Sequence, residues 1–181
     1  MFVITHSGPN SGKRDVHLGW VEDWDDSLSV FLIGFSNDIR AQQLFTEPQE
    51  GPFELIEKRE QVKREVKARP SQQHFSFYVF RRYGRRCAVC NMSVPEVLDA
   101  AHLVPDRNQG SYDPRNGLVL CAVHHRAFDT GLFAIEPYML KLHYKASGPD
   151  ADALRIDHKT LKHLPKHPHE DALRWRWNRW Q

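Results

Sequence analysis

The stretch that decides the reading runs from Cys87 to Gly131: CAVC (87–90), LDAAHLVP (98–105) and DPRNGLVLCAVHHRAFDTG (113–131). The three cysteines of the chain, Cys87, Cys90 and Cys121, all fall inside it. Cys87 and Cys90 form C-x-x-C, a short turn that aims two sulfurs at one point. Cys121 and His124 form C-x-x-H; in a helix, positions three apart share a face. Three thiolates and one imidazole make a closed tetrahedral zinc site, so a structural Zn²⁺ is expected on Cys87, Cys90, Cys121 and His124. The blander reading is three buried free thiols, or one disulfide and a spare; two paired spacings weigh against it. The gap between the pairs is longer than in a simple finger, so something is inserted between the halves of the clip.

The insert carries the chemistry. LDAAHLVP has the composition of a short buried strand that ends at a proline, with His102 near its end. DPRNGLVL has turn signals at Asp113-Pro114 and Asn116-Gly117, then a second short apolar strand. The helix with His124 and His125 follows directly. His124 serves the zinc. His125 lies about 100° further round the helix, so it can face a different centre. Strand, loop, strand and helix thus hold His102, Asn116 and His125 in that order.

That order resembles the HNH endonuclease family and its ββα-metal fold, in the branch stapled by zinc. GLVLCAVHHRAFDTGLF is similar to a subgroup common in bacterial restriction-type proteins. The resemblance covers residues 74–137 well, the tail to 181 loosely and the first 65 residues hardly at all. It implies that His102 is the general base, Asn116 the middle asparagine, and His125 a ligand of a catalytic Mg²⁺ or Mn²⁺. Many members carry Asp or His just before the base, as a metal ligand; here that position is Ala101. Asp99 lies two residues back on the same side of a strand and is the candidate replacement. Each residue also has a plainer role open to it. His102 can be a core histidine, Asn116 a turn residue and His125 a second zinc ligand, and Asp129 reads as a loop anchor.

The expected mechanism follows from phosphodiester hydrolysis. A water loses a proton as it attacks phosphorus, and a neutral His102 titrates in the right range to take it. Charge on the phosphoryl group and the leaving 3′ oxygen needs a cation, which His125 and Asp99 would hold. Asn116 would tie the loop to the strand that carries His102. The zinc, with four protein ligands, has no open position and is structural.

Composition sets outer bounds. The 181 residues suffice for one domain or two small ones. The formal charge is only +2, with a hydrophobic content of 40%; nucleic-acid binding must therefore come from a local patch. Arg81, Arg82, Arg85 and Arg86 beside the first cysteine, with Arg115 and Arg126, are the candidate phosphate contacts. MFVITHSGPNSGKRD has no charged segment followed by an apolar run, so no secretory signal is expected. No run approaches 18 apolar residues, so no membrane span is expected. Cysteines spent on a metal clip suit a reducing cytoplasm.

In chain order, FVIT, VHLGWVEDW and LSVFLIGF read as strands, with Asp25-Asp26 as a turn and 39–45 as a short helix. Trp20, Trp24 and Phe35 are expected to fill the core of this small sheet; the alternative is a DNA-reading surface. Residues 53–69 read as a basic helix ended by Pro70. Residues 72–84 read as a helix with Phe75, Tyr78, Val79 and Tyr83 on one face, capped by Gly84. A hairpin around Glu136-Pro137 and a last helix near Pro168 complete the chain, with Leu173 and Trp175 packed and Trp177 and Trp180 partly exposed. His158, His163, His167 and His169 read as surface residues.

The expectation is an α+β chain: a small β-rich unit with a basic helix (1–69), for DNA recognition or dimerisation, then an HNH nuclease domain with a helical extension (70–181). It would be a metal-dependent endonuclease acting on double-stranded DNA, cytoplasmic, in restriction or defence, with a homodimer delivering two nicks. The alternatives are a zinc-stapled nucleic-acid-binding module without catalysis, kept open by Ala101, and a zinc domain that binds protein.

Overall fold

A computed structural model describes residues 2–6, 14–35, 51–56 and 70–181. The chain divides into two compact units, Met1–Gly51 and Pro52–Gln181. The division falls earlier than the expected boundary at residue 69. Phe53 stacks on His169 with ring centroids 3.8 Å apart, and the Leu55 carbonyl accepts from the Ser111 amide at 3.3 Å. Ile56 makes a bridge to Gly110. Phe53 and Leu55 are half-buried, while Glu54 and Ile56 are exposed. That alternation belongs to extended backbone, so the start of the expected basic helix is not helical. Residues 57–69, with Lys58, Arg59, Lys63, Arg64, Lys67 and Arg69, lie outside the described residues, as does the helix expected at 39–45.

In the first unit, β1 (Phe2–His6) pairs antiparallel with β2 (Arg14–Leu18), and β3 (Trp20–Asp25) with β4 (Val30–Gly34). The β3–β4 turn begins after Asp25, whose buried carboxylate accepts from the Ser27 hydroxyl at 2.6 Å and the Leu28 amide at 3.0 Å. This is the aspartate-initiated turn that the Asp25-Asp26 pair predicts. Trp20, Trp24 and Phe35 do not fill a core: they are 43%, 56% and 53% exposed. The sheets here are two-stranded.

The second unit is built on α1 (Pro70–Tyr83), β5 (Leu98–His102), β6 (Gly117–Cys121) and α2 (Ala122–Asp129). Pro70 opens α1; its fixed φ and missing N–H suit a first turn. Phe75, Tyr78, Val79 and Tyr83 are buried on one face, as their spacing predicts. Gly84 ends the helix at φ +79°, its amide donating to the Phe80 carbonyl at 2.8 Å. β5 and β6 pair antiparallel, Leu98 opposite Cys121 and His102 opposite Gly117. Every residue of β6 is buried, which requires cover on both faces; α1 and α2 both pack on it. Gly117 is extended, at φ −131°. It is glycine for space: a Cβ would fall 2.6 Å from Val79 and 2.7 Å from Phe75.

After α2, β7 (Phe133–Ile135) and β8 (Leu142–Tyr144) form the expected hairpin. The Glu136 carboxylate closes it by accepting from the amides of Tyr138 and Met139. The last helix, α3 (Glu170–Trp180), buries Ala172 and Leu173. His169 is not a plain surface residue: its ring caps α3, accepting from the Asp171 amide at 3.2 Å, while it stacks on Phe53. No helix among the described residues is long and apolar enough to cross a membrane.

Candidate functional site

The sulfur clip assembles as the spacing predicts. Ligand atoms of Cys87, Cys90, Cys121 and His124 all lie within 4.8 Å of one another, and all four residues are buried. The His124 Nδ1 is 3.1 Å from the Cys121 sulfur and 3.5 Å from that of Cys87. Its Nε2 is 2.8 Å from the Leu154 carbonyl. A carbonyl only accepts, so Nε2 carries the proton and Nδ1 turns its lone pair toward the sulfurs. The donor set therefore fits a metal such as zinc. Cys121 sits at the N-cap of α2. Burial, with a smaller contribution from the neighbouring Cys87 and Cys121 sulfurs, pushes the Cys90 thiol up to about 12. The clip is tied to the rest of the unit: the Ala88 amide donates to the Val119 carbonyl of β6 at 2.8 Å. The amides of Asp157 and His158 both donate to the Val89 carbonyl.

One residue on, His125 faces elsewhere. Its Nδ1 is 3.0 Å from the Asp99 carboxylate, and its Nε2 is 3.5 Å from Asp129. The side chains of His125, Asp99 and Asp129 are 29%, 51% and 53% exposed. All three line a cavity of about 790 Å³, together with Pro105, Arg107 and Arg126. Asp129 is the residue whose place at this site sequence reasoning missed. It does anchor the end of α2, accepting from Arg176 at 3.1 Å, but one turn after His125 it also meets the imidazole. The i,i+4 spacing was the available signal.

Asn116 is fully buried and pins the loop between the strands. Its Oδ1 accepts from the Val104 amide at 2.9 Å, and its Nδ2 donates to the carbonyls of Val104 and Ser111 at 3.1 and 2.8 Å. The Leu103 amide returns to the Asn116 carbonyl at 2.9 Å. Gly110 makes this possible, because a Cβ there would overlap the Val104 carbonyl. The loop thus ends β5 in a fixed place, directly after His102.

His102 itself lies flat on Phe75, ring centroids 3.7 Å apart and planes 11° from parallel, with Tyr112 edge-on at 5.8 Å. It is not among the residues that line the cavity beside His125. Strand geometry gives the reason. Asp99 and His102 are three residues apart on β5 and so point to opposite faces; Asp99 meets α2 and His102 meets α1. Ala101 is fully buried between them.

The candidate arginines divide similarly. Arg115 is held by Asp113 at 2.6 Å and lies over the Phe53 ring. Arg82 donates to the His167 carbonyl at 3.2 Å. Arg81 and Arg85 are half-buried and Arg86 is exposed. Arg126 is exposed and lines the cavity with His125.

No curated protein matches the chain. Residues 87–136 match the family model of the HNH endonucleases. The matched segment runs from the first sulfur of the clip to the residue after β7, and the metal-ready cluster lies within it.

Proposed function

We propose that the chain is a metal-dependent DNA endonuclease whose ββα-metal core is β5, β6 and α2. The observation that carries the reading is the division of labour between His124 and His125. One imidazole closes the sulfur clip; the next, held between two carboxylates, opens on a cavity. The donor set there suits a hard divalent ion, with His125 Nε2 and Asp129 on the cavity side and Asp99 behind the ring as the carboxylate that orients it. A Mg²⁺ or Mn²⁺ bound there supplies Lewis-acid stabilisation of phosphoryl charge.

The chain's own groups supply the rest. The family resemblance makes His102 the general base. To serve a phosphate at the His125 cavity its ring must leave Phe75 and turn toward α2. There it would take the proton from water as the water oxygen bonds to phosphorus and the bond to the 3′ oxygen breaks. Asn116 fixes the loop that follows His102, so the base keeps its place at the end of β5. Arg126 offers a cation to a phosphate at the same opening. Zinc on Cys87, Cys90, Cys121 and His124 holds the scaffold. Reduced thiols suit the cytoplasm, and the family resemblance suits restriction or defence against foreign duplex DNA, with two copies giving two nicks.

A second reading has a specific observation behind it: Ala101 is fully buried and the His102 ring lies on Phe75, as a non-catalytic nucleic-acid-binding module would have it. Incubating supercoiled plasmid with the full chain and Mg²⁺ or Mn²⁺, beside His102→Ala, separates the two. The nuclease nicks or linearises plasmid and the variant is slower by roughly 10² to 10⁴. Intact plasmid in both tubes leaves the binding module.

A further inference from the structure

A second cavity, of about 310 Å³, adjoins the one beside His125 and shares Pro105, Arg107, Asp129 and Thr130 with it. Its remaining wall is cationic and aromatic: Lys145, Arg176, Arg179, Trp175 and Trp180. Four cations, counting Arg107, thus face one carboxylate, Asp129. That carboxylate is already engaged, with one oxygen on Arg176 and the other toward His125. Among the described residues, Arg107, Lys145 and Arg179 make no ion pair.

The wall is also rigid. Arg176 donates to the Phe128 carbonyl at 2.7 Å and lies 4.3 Å over the Phe128 ring. Burial disfavours its charged form, Asp129 offsets this, and Arg107 adds a smaller effect in the same direction as burial. Arg179 is stacked 3.7 Å above the Trp175 ring and donates from Nη1 to the Trp175 carbonyl at 3.3 Å, so its position is held while its other N–H groups remain for a phosphate. Trp180 is anchored by its Nε1 donating to the Gly131 carbonyl at 2.8 Å, and it stacks on Trp177. Crowded cations beside a fixed indole are the arrangement that a phosphate backbone with an unstacked or terminal base would neutralise.

We infer that this groove, between the end of α2 and α3, carries the nucleic-acid strand flanking the phosphate presented to His125, with phosphates on Arg107, Lys145 and Arg179 and a base against Trp180. The inference rests on the nuclease reading. It adds to the candidate arginines, of which Arg82 and Arg115 are engaged within the protein.

The test is binding of a fluorescent DNA duplex with a single-stranded overhang, by anisotropy over a range of salt, using the full chain carrying His102→Ala. The probe is the DNA itself; zinc content and thermal unfolding are followed for every variant. Adding Arg107→Ala, Lys145→Ala and Arg179→Ala is expected to weaken binding by roughly tenfold or more. It should also reduce the slope of log affinity against log salt by about 0.9 for each phosphate no longer neutralised. The single charge reversal Lys145→Glu, on an exposed side chain, moves both quantities the same way if the triple variant does not fold. Trp180→Ala is expected to weaken binding roughly 5- to 150-fold, the range for one stacked base. Affinity and slope unchanged in folded groove variants, while the parent binds, would overturn the track and leave the nuclease standing. A parent that binds no DNA at low salt, from a wild-type chain that cuts none, overturns both.

Discussion

His124 and His125 are neighbours on one helix, yet they serve surroundings of opposite kind. His124 is 2% exposed, points into three sulfurs and has its other nitrogen against a backbone carbonyl. His125 is 29% exposed, has a carboxylate near each nitrogen and opens on a cavity. A site with every position filled by protein can only hold structure together. A site with a rim of exposed carboxylates can exchange what it holds. One helical step of about 100° separates the two, so on the proposed reading α2 would work as a partition, with the clip fixing its start and the chemistry along its side.

The largest effect that would break this comparison is removal of the clip's ion. Apparent binding free energies of structural zinc reach about 10–16 kcal/mol in zinc-finger peptides, as large as the whole stability of an ordinary domain. A strong chelator, or Cys121→Ser, should therefore abolish the cooperative thermal transition of the C-terminal unit. Retained folding after complete zinc loss would show that the apolar core suffices. Zinc should also be held less tightly as pH falls, because protons compete for the thiolates; metal retention measured across pH gives the sign.

Next in size is Asn116→Ala. It strips partners from the Val104 amide and from two carbonyls, all within a buried loop. Buried polar groups left unpaired cost about 1–3 kcal/mol each, so a loss of at least ~3 kcal/mol is expected in urea unfolding, with zinc still bound. A stable variant with impaired cleavage would instead move Asn116 from the loop's frame into the chemistry. Smaller still are Asp99→Asn and Asp129→Asn. Partners behind a metal ligand commonly cost about 10- to 100-fold in affinity or activity. Asp99→Asn should raise the Mg²⁺ or Mn²⁺ needed for cleavage by that factor. Asp129→Asn should exceed it if Asp129 faces the ion and Asp99 only steadies the ring.

Much of this was legible in the residues. The paired Cys-x-x-Cys and Cys-x-x-His spacings located the clip, and the adjacent histidines announced two directions on one helix. Asn116 was legible as a loop tie because its side chain has both a donor and an acceptor end. What was not legible came from packing across elements. Asn116-Gly117 looked like a glycine turn, whereas Gly117 opens β6 and owes its size to Phe75 and Val79. The pairing of Arg115 with Asp113, two residues away, and of Arg82 with a carbonyl 85 residues on, took them out of the exposed basic patch. Alternation on β5 sends His102 and Asp99 to opposite faces, which a linear motif does not display. Trp20, Trp24 and Phe35 read as core because aromatic residues usually are, but all three are exposed.

The most direct measurement is plasmid cleavage by His125→Ala against the wild-type chain, with zinc counted in both preparations. A partitioned helix predicts about one zinc per chain in each and at least a ~100-fold loss of cleavage in the variant. Equal cleavage by both proteins, or zinc lost along with activity, would contradict it.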